Sequence, residues 1–209
     1  MSRKKLIRIN AARDLPNVFA CEDIASQLDG KAVVFELGCG DGLFAVEFAR
    51  RNPDLFVVGV DVKLDRLYKA GCLAVELGVE NCVFVRMRAE DLLRFVPEGS
   101  LQQLWLTFSD PQPKKGSAKK RLTHTRFLKV YNQLLSKDGR VCFKSDSDSL
   151  YNFTLEQLSE LKIVPTLDVL DTHSQLSKDS PYLIETVFEK KFREKGIKIK
   201  ALEWNSVIL

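Results

Sequence analysis

At 209 residues, with 45% hydrophobic and 29% charged residues, the chain has the makeup of a globular protein able to bury one substantial core. No apolar run is long enough to span a bilayer, and the start, Met1-Ser-Arg-Lys-Lys, lacks the apolar stretch of a secretory signal. The net charge is only +4, yet basic residues gather in three clusters, at Arg3 to Arg13, Lys114 to Arg126 and Lys190 to Lys200. Clusters matter more than the sum when phosphates are bound, although any one of them can also be a solvated face.

The five cysteines are scattered, form no C-x-x-C, and have no ligand-spaced histidine beside them. Reduced thiols in a cytoplasmic protein, with no bound metal, is the expectation. Monomer and homodimer both remain open.

In chain order, residues 1–14 read as a basic, flexible tail and 15–209 as one domain. Pro16 to Leu28 suggests a short helix. Ala32 to Leu37 is apolar and valine-rich except for Glu36, the pattern of a strand buried on both faces. Gly38, Gly40 and Gly42 follow, then apolar residues at helical spacing up to Asn52-Pro53. Leu55 to Val60 predicts a second strand ending at Asp61, and Val62 to Leu77 a helix closed by Gly78. Further strands are expected at Val83–Met87, Leu101–Phe108, Val141–Phe143 and Ile163–Leu170, with helices from Thr123 or Thr125 to Leu135 and from Leu150 to Leu161. Ile184, Val187, Phe188 and Phe192 fall on one helical face, and a terminal strand runs from Ile197 to Trp204. Strands alternating with helices give an α/β fold: a mostly parallel, seven-stranded, Rossmann-like sheet with helices on both faces and an antiparallel last strand. Ligands belong at the carboxyl ends of its strands.

The turn after the first strand is G-x-G-x-G, and the third slot of the dinucleotide fingerprint G-x-G-x-x-G falls on Leu43. Glu36, two residues before Gly38, would repel a pyrophosphate and suits a cationic ligand end. The spacing resembles the first motif of the S-adenosylmethionine methyltransferases; a glycine turn that binds nothing is the alternative. Asp61 is placed to accept from ribose hydroxyls or merely to cap the next helix.

The most particular stretch is Thr107-Phe-Ser-Asp-Pro-Gln-Pro-Lys-Lys-Gly-Ser-Ala-Lys-Lys-Arg-Leu-Thr123. A carboxylate, Asp110, ends a strand; two prolines stiffen the chain; a basic run follows. It resembles the bacterial tRNA (guanine-N7-)-methyltransferases, whose hallmark is F-S-D-P-W-P-K-K, a basic run and R-L-T. The family's F-K-T-D resembles Phe143-Lys-Ser-Asp146, and its T-x-x-E resembles Thr186-Val-Phe-Glu189. The chain departs from the family at Gln112, where tryptophan is usual, at Asp61, where glutamate is frequent, and at Arg88, where an acidic or amide residue often stands.

The resemblance implies that Glu36, Gly38, Gly40, Asp61, the Arg88 position and Asp110 meet S-adenosylmethionine, and that Asp110 is the active-site acid. It implies further that Lys114, Asp146, Thr186 and Glu189 meet the substrate, and that Lys115, Lys119, Lys120 and Arg121 contact RNA. Thr186-x-x-Glu189 also reads as a helix capping box. The expected reaction is methylation of N7 of a tRNA guanine, at position 46 of the variable loop. Another RNA base, a small molecule, or a non-catalytic RNA-binding role on the same fold are the alternatives. The intact glycine loop with Glu36, Asp61 and Asp110 argues against the last, and the basic run against a small molecule.

Overall fold

The computed structural model describes residues 3–206, the Lys115 side chain excepted. In chain order, helix α1 spans Arg3–Ala11, strand β1 Val18–Phe19, helix α2 Ile24–Leu28 and strand β2 Val33–Leu37. Then come α3 (Leu43–Arg51), β3 (Phe56–Asp61), α4 (Leu64–Glu76), β4 (Cys82–Arg86), α5 (Leu92–Phe95) and β5 (Leu101–Thr107). The rest is α6 (Thr125–Leu134), β6 (Leu135–Ser145), α7 (Asp148–Glu160), β7 (Leu167–Val169), α8 (Thr172–Gln175), α9 (Val187–Arg193) and β8 (Lys200–Asn205).

The eight strands form one sheet in the order β1-β4-β3-β2-β5-β6-β8-β7. The pairings are parallel except that β8 runs antiparallel to β6 and β7. Alternation along β2 divides the core. Val33, Phe35 and Leu37 pack on one face with residues of α2, α6 and α7. Val34 packs on the other with residues of α3 and α4. The strand order reverses between β2 and β5, and at such a switch point a crevice opens outside the carboxyl ends of the strands.

The expected seven strands become eight. The segment Pro16–Leu28 is not one helix: Val18 and Phe19 pair with Phe84 and Val85 at the sheet edge, where Phe84 N donates to the Asn17 carbonyl at 2.8 Å and the Asn17 side-chain amide donates to the Gly71 carbonyl of α4. The fifth strand reaches back to Leu135 through a shift in register against β5, which the turn-like Ser136-Lys-Asp-Gly139 conceals. The sixth shrinks to Leu167–Val169; Pro165, with no amide hydrogen, cannot join a ladder. The basic start expected as a flexible tail is helical over Arg3–Ala11, and Lys5 pairs with Asp65 of α4 at 3.4 Å. Residues 1–2 of that tail and 207–209 of the expected domain lie outside the described residues.

No helix among the described residues is long and apolar enough to cross a membrane.

Candidate active site

The turn from β2 to α3 needs its glycines for two different reasons. Gly42 has φ +81°, and a Cβ there would lie 2.4 Å from the Ala70 Cβ of α4. Gly38 and Gly40 also have positive φ, but a Cβ on Gly38 would meet nothing within 4 Å. There the backbone faces open space, as a close-approaching ligand requires.

The loop amides face inward. Gly38 N donates to the Val60 carbonyl at 2.7 Å, Cys39 N to the same carbonyl at 3.1 Å, and Gly40 N to Asp61 Oδ2 at 3.1 Å. Such a loop has few donors left for a phosphate, in keeping with its mismatch to the dinucleotide fingerprint. Asp61 also accepts from Lys63 N at 2.8 Å, and Arg66 lies 3.7 Å away. It ties the glycine loop to the turn that leads into α4 while lining the cleft; it does not cap that helix, whose N-cap is Lys63 without a side-chain cap bond.

Beside this loop lies a cleft of about 840 Å³, walled by the ends of β2, β3 and β5 and by residues Thr186 to Phe188. Glu36 lies at its floor, 2% exposed. One carboxylate oxygen accepts from Thr107; the other, Oε2, is buried with no well-formed hydrogen bond from the described residues. Burial pushes the carboxyl up to about 7, against the lowering influence of the Thr107 hydroxyl, the Ala45 backbone amide in the first turn of α3 and the Lys144 charge. A buried, half-satisfied carboxylate beside an open glycine turn is the complement of a cationic ligand with a hydrogen-bonding body, so these residues fit S-adenosylmethionine.

The raised pKa has a thermodynamic consequence. Between about pH 4.5 and 7 the folded protein holds a proton that the unfolded chain releases. The associated stability is complete below pH 4.5 and is lost as pH rises through 7, amounting to roughly 3 kcal/mol by pH 8. Glu36→Gln, without ligand, is therefore expected to be more stable than wild type at pH 8 and to lose that advantage by pH 5. Urea denaturation at both pH values checks this, and a gap independent of pH contradicts it.

Asp110 stands just beyond β5 at the cleft mouth, exposed. Its Oδ1 accepts from Gln112 N at 2.9 Å and its Oδ2 from Gln112 Nε2 at 2.8 Å. Thr186 lines the cleft too, and its hydroxyl caps α9 by accepting from Glu189 N at 3.1 Å.

The other expected residues stand elsewhere. Met87 and Ala89 line the cleft while the Arg88 side chain lies exposed outside it, so this position offers the cleft its neighbours and backbone. Lys114 is exposed and Asp146 half-buried, and neither is on the cleft wall. Glu189 is fully buried behind the wall: Lys144 Nζ reaches its Oε2 at 2.6 Å and His173 Nε2 its Oε1 at 2.8 Å. The capping box is thus half formed, its carboxylate diverted to a buried ion pair. Lys119 and Lys120 are exposed, and Lys120 reaches the cleft. Arg121 is half-buried, donating to the Pro111 carbonyl at 3.0 Å and the Gln112 carbonyl at 3.2 Å over the Phe153 ring. The Lys115 side chain lies outside what is described.

Four contributors carry no role in the sequence pattern. Thr107 holds Glu36. Lys144, inside the F-K-S-D segment, is wholly buried; a lysine in the apolar run Val-Cys-Phe-Lys was the available signal. Val187 and Phe188, placed by their spacing on one helical face, are 71% and 57% exposed and line the cleft. No group of three or more metal-ligating side chains occurs among the described residues.

A family model described as a putative methyltransferase matches residues 30–202. The tRNA (guanine-N(7)-)-methyltransferase of Cytophaga hutchinsonii is 32% identical over 98% of both chains. That of Bacillus cytotoxicus is 36% identical over 80% of this chain and 76% of its own, and that of Bacteroides thetaiotaomicron 30% identical over 98% and 86%. Among solved structures, the 16S rRNA methyltransferase KamB superposes with a TM-score of 0.65 at 17% identity, covering 87% of this chain and 92% of that one. A geranyl diphosphate C-methyltransferase from Streptomyces coelicolor, solved with S-adenosyl-L-homocysteine, superposes at 0.58 and 15% identity, covering 89% and 78%. These two likenesses show the fold, that of the class I methyltransferases. The family model and the three relatives go further: the chain belongs to the tRNA (guanine-N7-)-methyltransferases.

Proposed function

We propose that the protein transfers a methyl group from S-adenosylmethionine to N7 of a guanine in tRNA, at position 46 of the variable loop. The observation that carries this reading is the pairing, in one cleft, of a buried, half-satisfied carboxylate, Glu36, and a second carboxylate, Asp110, at the mouth. Glu36 and Asp61 hold the ligand's cationic and ribose ends, with Gly38 and Gly40 allowing close approach. When bound there, S-adenosylmethionine supplies an electrophilic methyl on a sulfonium.

Guanine N7 carries a lone pair at neutral pH, so attack needs no prior deprotonation. The protein's contribution is then positioning and negative charge placed where positive charge grows on the purine. Asp110 has that charge and that location, and its free lone pairs can also accept from the guanine's N–H edge. A variable-loop base must leave its tertiary contacts to enter the cleft. Phe188 and Val187, exposed on the rim, offer it an apolar surface.

Lys119 and Lys120, exposed beside the mouth, suit phosphates. Replacing both with alanine is expected to weaken tRNA binding and flatten its salt dependence, by up to about one unit of slope for each phosphate no longer neutralised. Filter binding from low to moderate salt reads this; an unchanged slope would leave both as solvated surface charges. The target position is tested with tRNA transcripts in which the guanosine at 46 is replaced by adenosine: methyl incorporation should vanish, and undiminished incorporation would refute that position.

A further inference from the structure

We propose that Gln112 is a positioning residue that holds the Asp110 carboxylate in its working orientation. This rests on the reading of Asp110 as the active-site acid. An exposed aspartate is ordinarily free to turn about two torsions, and a charge that must face a growing cation loses effect when it wanders. Here both carboxylate oxygens are gripped by one residue, Oδ1 by the Gln112 backbone amide and Oδ2 by its side-chain amide. Each oxygen still has a lone pair for a substrate.

The grip is built at the expense of backbone comfort. Gln112 has φ +43°, a left-handed conformation that side chains seldom adopt, and it does so between two prolines. Arg121 fixes this turn from behind by donating to the carbonyls of Pro111 and Gln112, its guanidinium 4.3 Å from the Phe153 ring centroid. The turn, its strain and the Arg121 brace all serve to present one amide to one carboxylate. Tryptophan, usual at this position in the family, has a single side-chain donor on a rigid ring and no such amide.

Three variants test the clamp, read by single-turnover methyl transfer to tRNA at saturating S-adenosylmethionine. Gln112→Leu keeps the size without the amide. Gln112→Gly relieves the positive φ while removing the amide, so its losses cannot come from a strained turn. Both should lower the rate at saturating tRNA about tenfold, with KM for tRNA within about twofold of wild type. In an Asp110→Asn background, Gln112→Leu should cost nothing further, because residues acting through one group are not additive. Gln112→Glu should acquire a pH dependence absent from wild type. At low pH a proton shared between the two carboxylates restores the bridge, so its rate should fall as pH rises from about 5 to 8.

Wild-type rates in Gln112→Leu and Gln112→Gly, or an equal loss in the Asp110→Asn background, would overturn the proposal. A fully active Asp110→Asn enzyme would instead overturn the reading on which it rests. A slow Asp110→Asn enzyme beside fully active Gln112 variants would remove the clamp alone.

Discussion

Asp110→Asn is expected to slow single-turnover methyl transfer by roughly ten- to a thousandfold, the scale for losing one electrostatic contact to the transition state. Asparagine keeps the size and can still accept hydrogen bonds, so binding of tRNA and S-adenosylmethionine should change little. The loss would then fall on the rate constant, the mark of an interaction made chiefly in the transition state. The pH profile separates two roles. A proton acceptor makes the rate climb as it ionises. A fixed charge leaves the wild-type rate flat from about pH 6 to 9 at saturating S-adenosylmethionine. A tenfold climb per pH unit in that range would refute the electrostatic role, and full activity in Asp110→Asn would remove the residue from the site.

The largest effect on stability is expected at Lys144. Its ammonium, with no exposed surface, donates to the carbonyls of Tyr182 and Ile184 at 2.9 and 2.7 Å and pairs with Glu189 at 2.6 Å. Burial pushes its pKa down, and the Glu189 charge opposes that shift. Lys144→Met would leave the buried Glu189 carboxylate with His173 as its side-chain partner among the described residues, and two carbonyls without this donor. Losses from breaking such a pair run to about 3–5 kcal/mol, and urea denaturation should show a loss on that scale. Lys144→Met combined with Glu189→Leu should recover part of it, since an apolar pair needs no partner. A single variant as stable as wild type would mean that the pair is not what holds residues 182–189 in place. These are the residues that deliver Thr186, Val187 and Phe188 to the cleft, so the stability test bears on the cleft wall as well.

What could be read from the sequence follows the range of the forces involved. The valine-rich strand, its glycine turn and the helix after it are specified within about twenty neighbouring residues, by apolar period and by backbone freedom at glycine. The mostly parallel sheet followed from the alternation of strands and helices, whereas the order of its strands did not. Asp110 was visible because a carboxylate, two prolines and a basic run coincide in one stretch.

Interactions between distant residues left no such trace. Glu189 looked like a capping or substrate-binding residue because nothing near it reveals that Lys144, 45 positions away, draws it inward. Phe188 matched the period of one helical face with Ile184 and Phe192, yet α9 is short and presents that residue to the cleft. Arg121 matched a basic run, although its guanidinium lies against the turn at Pro111 and Gln112. The two-residue β1 pairs with β4 more than sixty positions away, and Asn17 beside it bonds Gly71 of α4, 54 positions apart.

The central claim is that this cleft methylates guanine N7 in tRNA. The most direct measurement incubates the purified protein with S-adenosylmethionine labelled on its methyl group and bulk tRNA lacking 7-methylguanosine, then digests the tRNA to nucleosides and separates them. The label is expected in 7-methylguanosine, and Asp110→Asn is expected to reduce it greatly. Label on a different nucleoside, or no incorporation by a folded protein that binds S-adenosylmethionine, would contradict the claim.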